Sequence, residues 1–305
     1  MSDRHQPTRG RPRVALVTCG ELPDLDPDDR LLRRPLAARG VTTEAVAWDA
    51  PGVDWAGYDL AVIRSTWDYA TRRDEFVAWA ATVPRLANPA DVIAWNTDKR
   101  YLGELSAAGL PTVPTTWVAP GRPWAPPGSG EYVVKPAVSA GSLDTGRYDL
   151  ADPEHRRLAL AHLARLGAAG RLAMVQPYLS AVDTAGETAL LYVIGPDGPT
   201  FSHAIRKGPM LTGPDQGVDG LYRTETIDRR AATPAQRAVA ERVLAAVPGG
   251  ARRLLYARVD LIPGAGGAPV LVELELTEPS LFLGHAEGAA ERLADAIVAH
   301  LTATA

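Results

Sequence analysis

The segment at 269–283, PVLVELELTEPSLFL, constrains this chain more than any other. Its first half reads as a buried strand, because Val and Leu fill it and turn residues bound it. Glu273 and Glu275 nevertheless stand inside the apolar run. Side chains alternate across a strand, so both carboxylates project from one face, roughly 7 Å apart. Like charges on one face repel, and a buried carboxylate without a partner is costly. Any fold this segment enters must bring positive charge to that face.

A second charged strand, YARVDLI at 256–262, precedes it, and PGAGGA joins the two as a hairpin. In such a hairpin Asp260 lies across from Glu273 or Glu275. Three converging carboxylates would make a hard-oxygen site suited to Mg²⁺, with water and nucleotide phosphate as the remaining ligands. The alternative pairs the glutamates with Arg258 or a surface arginine. Spacing alone leaves both open.

Of 32 basic residues only three are lysines, Lys99, Lys135 and Lys207. In a chain that uses arginine almost everywhere, these positions are candidates for work that arginine does badly. A lysine is a compact point charge on a thin stem, suited to reaching one phosphate oxygen.

The rest of the chain predicts an α/β and α+β protein. RVALVTC, TTEAVAW and DLAVIRS read as strands that alternate with helices near 30–38 and 72–83, which points to a parallel sheet covered on both faces. This first unit ends near Trp95. Next, NTDKRYLGELSAAGL reads as a helix capped by Asn96 or Thr97 and stopped at Gly109. TVPTTWV, EYVVKPA and RLAMVQPYL, with a helix at 153–166, make a small α+β section. ETALLYVI, PTFSHAIRK, a helix at 234–246, the charged hairpin and a helix at about 285–301 complete the chain. The expected organisation is a disordered tail at 1–12 and units at 13–95, 96–176 and 177–305.

Several function classes find no support. The polar, Arg-rich start has no apolar core of a signal peptide, and no apolar run is long enough to span a bilayer. A cytoplasmic location is therefore expected, and the single Cys19 suits a reducing compartment. A net charge of −4 gives no reason to expect a nucleic-acid partner. VALVTCGELPD lacks the G-x-G-x-x-G turn of a nicotinamide enzyme, and neither a P-loop Gly-Lys-Ser/Thr run nor G-x-S-x-G occurs.

Together these residues resemble the ATP-grasp superfamily of ligases. The resemblance implies an ATP-grasp fold behind a Rossmann-like pre-ATP-grasp domain, with nucleotide held between the small middle domain and the C-terminal domain. It implies ATP and two Mg²⁺ ions, replaceable by Mn²⁺, with Asp260, Glu273 and Glu275 as metal ligands. Glu275 departs from the Asn common at that position. Lys99 and Lys135 resemble the phosphate-contacting lysines. Ser139, Gly141 and Ser142, in SAGSLDTG, resemble the loop that closes over the phosphates. Residues around Gln176 and Tyr178 would hold adenine, and Asp183 or Glu187 the ribose. Arg258 resembles the arginine of D-alanine–D-alanine ligases that stabilises the transferring phosphoryl group. Lys207 and Arg206 would lie near the γ-phosphate or substrate, the alternative for Arg206 being a surface ion pair.

Arg64, Ser65, Thr66, Trp67, Asp68 and Tyr69 lie at the carboxyl end of a predicted strand, where open α/β sheets bind ligands. They are substrate-site candidates, as are Thr277 and Ser280. RSTWDY, WNTDKRYL and ELELTEPSLFL together are similar to the O-ureido-D-serine cyclo-ligase branch, which closes the ring of cycloserine. The activity implied is ATP-dependent amide formation from a small-molecule carboxylate through an acyl phosphate. A ligase joining two separate substrates and a non-catalytic nucleotide-binding protein stay open, and a homodimer is implied by resemblance alone. His203 and His285 do not stand out as a general base.

Overall fold

The computed structural model describes residues 10–303 except 216, 218–220 and 222–225. Most of the tail expected at 1–12 lies outside the described residues. The first sheet contains β1 (Arg13–Thr18), β2 (Thr42–Ala47), β3 (Leu60–Ser65) and the short β4 (Leu86–Ala87), all parallel in the order β2-β1-β3-β4. Its helices are α1 (Arg33–Ala38), α2 (Arg73–Thr82) and α3 (Ala90–Asn96). β3 is buried along its whole length, as expected of a strand in a parallel sheet covered on both faces.

After α4 (Tyr101–Ala107) comes an antiparallel sheet of β5 (Thr116–Val118), β6 (Glu131–Pro136), β7 (Gly146–Asp149) and β8 (Ala173–Pro177), ordered β5-β8-β6-β7. It is covered by α5 (Pro153–Ala168), whose Ala159 and Leu166 share a core with Val134 and Val175. Asp152 starts α5 by accepting the Glu154 amide at 2.7 Å, with Pro153 in the first turn.

The third sheet follows the short helix α6 (Ala181–Ala185). Its strands are β9 (Glu187–Gly195), β10 (Gly198–Lys207), β11 (Ile227–Arg230), β12 (Tyr256–Pro263) and β13 (Pro269–Glu275), ordered β11-β10-β9-β12-β13 and antiparallel throughout. Helix α7 (Pro234–Ala245) begins with a reciprocal capping box between Thr233 and Gln236. The last helix, α8 (Ala289–Ala303), puts Leu293 and Ile297 into a core shared by Leu16 and Val62 of the first sheet and Leu191 and Ile205 of the third.

Two local expectations change. The helix expected to start at Asn96 or Thr97 is two helices, with Asn96 the last residue of α3. Its side-chain amide does not cap. It donates to Leu274 O at 2.8 Å and accepts from Leu276 N at 2.7 Å, standing in for a neighbouring strand. Tyr101 OH does the same for both backbone groups of Leu274, each at 2.9 Å. Near the other end, Leu271 bonds Pro111 O at 2.7 Å and Val113 N at 3.1 Å. The outer edge of β13 is thus occupied along much of its length.

Strict alternation along β13 also breaks. Arg258 pairs with Glu275 and Asp260 with Glu273, but Leu261 pairs with Leu271, so Val272 is an extra residue. Such a bulge turns the strand locally and re-aims its side chains. Val272 and Glu273 consequently both face the cavity described next, while Leu271 and Leu274 are buried.

Candidate active site

A cavity of about 440 Å³ takes its wall from the second and third sheets and from the loops after β3 and β13. All three lysines line it. Lys135 comes from β6, Lys207 from the end of β10, and Lys99 from the turn before α4. Each is nearly buried. Facing them are Glu187, Glu273, Glu275 and Glu278. Val113, Val133, Ile262 and Val272 add apolar surface to the wall.

The charges are interlocked. Lys99 Nζ lies 3.0 Å from Glu273 and donates to Ser139 O at 2.6 Å. Lys207 pairs with Glu187 and donates to Asp260 Oδ2 at 2.7 Å. Arg258 donates to Asp260 from Nε and Nη2, both at 2.9 Å, and also bonds Glu275. Burial would raise the Asp260 carboxyl, but Arg258 and Lys207 outweigh it and hold the group well below the usual range. Glu273 is likewise lowered, since Lys99 and Lys135 outweigh its burial. Glu275 goes the other way. Burial, with Glu273 and Asp260 close by, pushes it up to about 8 despite Arg258. Burial also lowers Lys135.

Of the three expected carboxylates, Glu273 and Glu275 line the cavity and Asp260 does not. Among the described residues no group of three or more His, Cys, Asp or Glu side chains is disposed to hold a metal. The reason is that Asp260 is fully buried behind the cavity wall, turned to Arg258 and Lys207. Glu275 bonds Arg258, as the alternative raised by the sequence has it, whereas Glu273 pairs with Lys99, which that alternative did not name.

Of the other expected site residues, Ser139, Gly141, Ser142, Gln176, Tyr178, Glu187, Trp67 and Ser280 line the cavity. Gly141 and Ser142 both have φ of 59°, the left-handed region, where glycine is at ease and serine is strained. The Tyr178 amide is spent on Glu131 O at 2.8 Å, so it is not open to a base edge. Asp183 does not line the cavity: it accepts from Tyr178 OH and from Arg147 at 3.3 Å. Arg206 also turns away, donating to Ala185 O at 3.0 Å and Thr184 O at 3.2 Å, with Asp228 at 3.7 Å.

Most of RSTWDY acts one layer below the wall. Arg64 is fully buried, donates to Asp29 at 2.9 Å and to Pro279 O at 2.6 Å, and stacks on Tyr256. Ser65 donates to the same Asp29 at 2.6 Å. Thr66 and Tyr69 are buried, and Asp68 accepts Trp48 Nε1 at 3.0 Å. Thr277 is buried against Asn96 at 3.3 Å. His203 is a structural clasp on Leu281 O at 3.0 Å, lowered to about 4 by burial.

With this geometry, relatives can be compared. A cycloserine biosynthesis protein, DcsG, from Streptomyces lavendulae is 40% identical over 308 residues, covering 94% of this chain and 98% of that protein. The chain belongs to the DcsG family. The family model for the N-terminal domain of D-cycloserine synthetase DcsG matches residues 14–88. A crystal structure of D-cycloserine synthetase DcsG superposes with a TM-score of 0.81 at 36% identity, covering 95% of this chain and 99% of that one. An ATP-grasp RimK domain protein from Sphaerobacter thermophilus gives a TM-score of 0.63 at 20% identity, covering 93% and 98%. D-alanine–D-alanine ligase from Bacillus anthracis gives 0.60 at 14%, covering 96% and 98%. The last two share the fold alone. This DcsG-family chain is an ATP-grasp enzyme, a ligase that forms a C–N bond. No helix among its described residues is long and apolar enough to cross a membrane.

Some residues of this DcsG-family site were not singled out from the sequence. Glu278 lines the cavity, nearly buried, and burial pushes it up to about 7 although Tyr69 and Lys99 act to lower it. The signal was present: it is a third glutamate in the segment that opened the argument. Asp28 accepts the amides of Leu283 and Gly284 at 2.8 Å, tying the acidic loop after β1 to the loop after β13.

Proposed function

We propose that the cavity binds ATP with Mg²⁺ and that the enzyme converts the carboxylate of a small amino-acid-like substrate into an amide, closing O-ureido-D-serine to D-cycloserine. The observation that carries this reading is that the three lysines of an arginine-rich chain, with Arg258, line one cavity that also presents Glu273 and Glu275. Cations for a triphosphate and hard oxygens for a metal share one chamber. Lys99 and Lys135, beside the small residues of 139–142, would take phosphate oxygens, and the apolar side chains of Val113, Val133 and Ile262 would take the base. Glu187, which lines the cavity, is the better candidate for the ribose than Asp183.

The donor set fits Mg²⁺. Glu273 and Glu275 face the cavity from one strand, and acidic charge is in excess there, since Glu275 is driven towards its neutral form while a divalent cation would let it ionise. Glu273 and Glu275 would hold the metal, and Asp260 would join once Lys207 or Arg258 turned to phosphate. When bound, Mg²⁺ would neutralise charge on the transferring phosphoryl group. Two ions, replaceable by Mn²⁺, are part of the proposal.

In the reaction the substrate carboxylate attacks the γ-phosphorus, giving an acyl phosphate and ADP. The oxygen-bound ureido nitrogen of the same substrate then attacks the acyl carbon, loses its proton and expels phosphate. Water cleaves the carbamoyl group from that nitrogen; it leaves as carbamic acid and falls apart to CO₂ and ammonia, giving D-cycloserine. Arg258, which donates to Ser280 O at 3.2 Å, would meet the negative charge that develops in phosphoryl transfer and in ring closure. Catalysis comes from positioning and charge neutralisation, and a closed cavity protects the acyl phosphate from water. A cytoplasmic homodimer completes the proposal. Phosphate release from ATP and Mg²⁺ with O-ureido-D-serine tests the function, and release that is independent of the amino acid would refute it. Light scattering tests the dimer.

A further inference from the structure

The reaction proposed above explains the cations and the metal-facing glutamates, but not Glu278. This residue is 8% exposed, and what remains open faces the cavity. Among the described residues no basic side chain forms an ion pair with it. Lys99 is the cation whose charge reaches it, and Lys99 is already engaged with Glu273 at 3.0 Å and Ser139 O at 2.6 Å. A carboxylate taken out of water without a counter-ion is costly to keep.

The surroundings are built to hold this group in place. Trp67 Nε1 donates to Glu278 O at 3.0 Å, and Arg64 Nη2 donates to Pro279 O at 2.6 Å. Tyr69, buried beside Glu278, lowers its carboxyl against the rise that burial imposes. The end of β3 and the turn after it thus hold the backbone at Glu278 and Pro279. Arg64 is in turn held by Asp29 at 2.9 Å. Across the loop, Arg258 donates to Ser280 O at 3.2 Å. The cavity wall therefore runs from the Glu278 carboxylate, with which no described basic side chain forms an ion pair, to the Arg258 guanidinium beside Ser280, which also bonds Asp260 and Glu275. A molecule carrying both a cation and a carboxylate matches that polarity.

We infer that the Glu278 carboxylate anchors the α-ammonium group of the amino-acid substrate, with its carboxylate directed towards Arg258. This rests on the substrate class proposed above and assigns its recognition. Arg64, Trp67 and Tyr69 are then positioning residues for Glu278, not substrate contacts. A charge-assisted bond in a dry site discriminates strongly, since an analogue without the cation leaves the carboxylate buried and unpaired.

The test is calorimetric titration of O-ureido-D-serine and its N-acetyl derivative into enzyme loaded with ATP and Mg²⁺ at short times, or with a non-hydrolysable ATP analogue. Wild type should bind the zwitterion at least about 30-fold more tightly than the N-acetyl compound, the loss typical of breaking a buried charged pair. Glu278→Gln should bind both weakly with the preference gone, Glu278→Asp should keep the preference, and Tyr69→Phe should keep it while weakening both. The nucleotide-induced shift in melting temperature should survive in every variant. Equal binding of the two compounds by wild type, or a Glu278→Gln preference within threefold of wild type, overturns the inference while leaving the ligase reading intact. Absence of any binding of the zwitterion to wild type, with the nucleotide shift retained, overturns the substrate reading and the inference together.

Discussion

Replacing Asp260 by Asn isolates the buried charge network behind the cavity. Asp260 is fully buried, with Lys207 Nζ at 2.7 Å and Arg258 Nε and Nη2 at 2.9 Å. At an effective dielectric constant of 20, each contact is worth about 6 kcal/mol before desolvation is charged against it. Desolvation consumes most of that, and removing one partner of a buried pair typically costs about 3–5 kcal/mol. Lys207 keeps Glu187 and Arg258 keeps Glu275, so the lower end applies, about 3 kcal/mol. For a chain of 305 residues that lowers the melting temperature by roughly 5 °C. The assay is thermal unfolding followed by circular dichroism, first without ligand and then with saturating ATP in EDTA. If the two cations turn from Asp260 to phosphate oxygens, ATP should narrow the gap between variant and wild type. A shift below about 2 °C without ligand would refute the stabilising role. A gap that ATP leaves unchanged would refute the exchange of partners. On this view Asp260→Asn is not a silent isostere that merely removes activity.

Glu273→Gln should lower substrate-dependent ADP release at least ~100-fold, because metal charge stabilisation is worth several kcal/mol; unaltered turnover would exclude Glu273 as a ligand. Glu275 and Glu278 have folded values of about 8 and about 7, above the ordinary 4.5, so the folded state holds protons that the unfolded state has released. Stability without ligand should therefore be fullest near pH 4.5 as far as these groups decide it, and should fall as pH rises towards 8. Nucleotide with Mg²⁺ should release protons from Glu275 on binding at pH 7, seen as a buffer-dependent enthalpy, and a buffer-independent enthalpy would contradict the Glu275 assignment. Gly186→Ala should cost about 1–3 kcal/mol, since φ 71° and ψ 178° suit only glycine and the new Cβ would sit 2.6 Å from Lys207 O. Urea unfolding measures it, and a neutral result would show that the backbone there can yield.

How far the sequence led depends on whether a signal was local. The rarity of lysine pointed to three positions that prove to share one cavity, because residue type alone carried that argument. The parallel first sheet and the charged hairpin followed from apolar runs and turn residues, which act within a few residues. Asp260 across from Glu273 was one of two registers the hairpin allowed. The bulge at Val272 was not legible, since nothing in VLVEL marks the extra residue. RSTWDY was assigned to substrate because the end of a parallel strand is where ligands bind. Arg64 instead spends its charge on Asp29 and Pro279 O, the latter 215 residues away. Partners that distant leave no trace in periodicity. Asn96 misled for a related reason: its type suits a helix cap, and only the folded chain shows it serving β13.

That service has a consequence for how the molecule can be taken apart. β13 is the outermost strand of its sheet, yet Asn96, Tyr101, Pro111 and Val113 occupy its outward amides and carbonyls. These borrowed partners block strand addition from a second molecule, the usual hazard of an apolar border. They also act as a vernier, because a slip of one residue would turn both glutamates into the interior. Excised without residues 96–113, the C-terminal half should expose a raw hydrophobic border and self-associate. The half that carries the acids is not autonomous: its alignment is written in the segment before it.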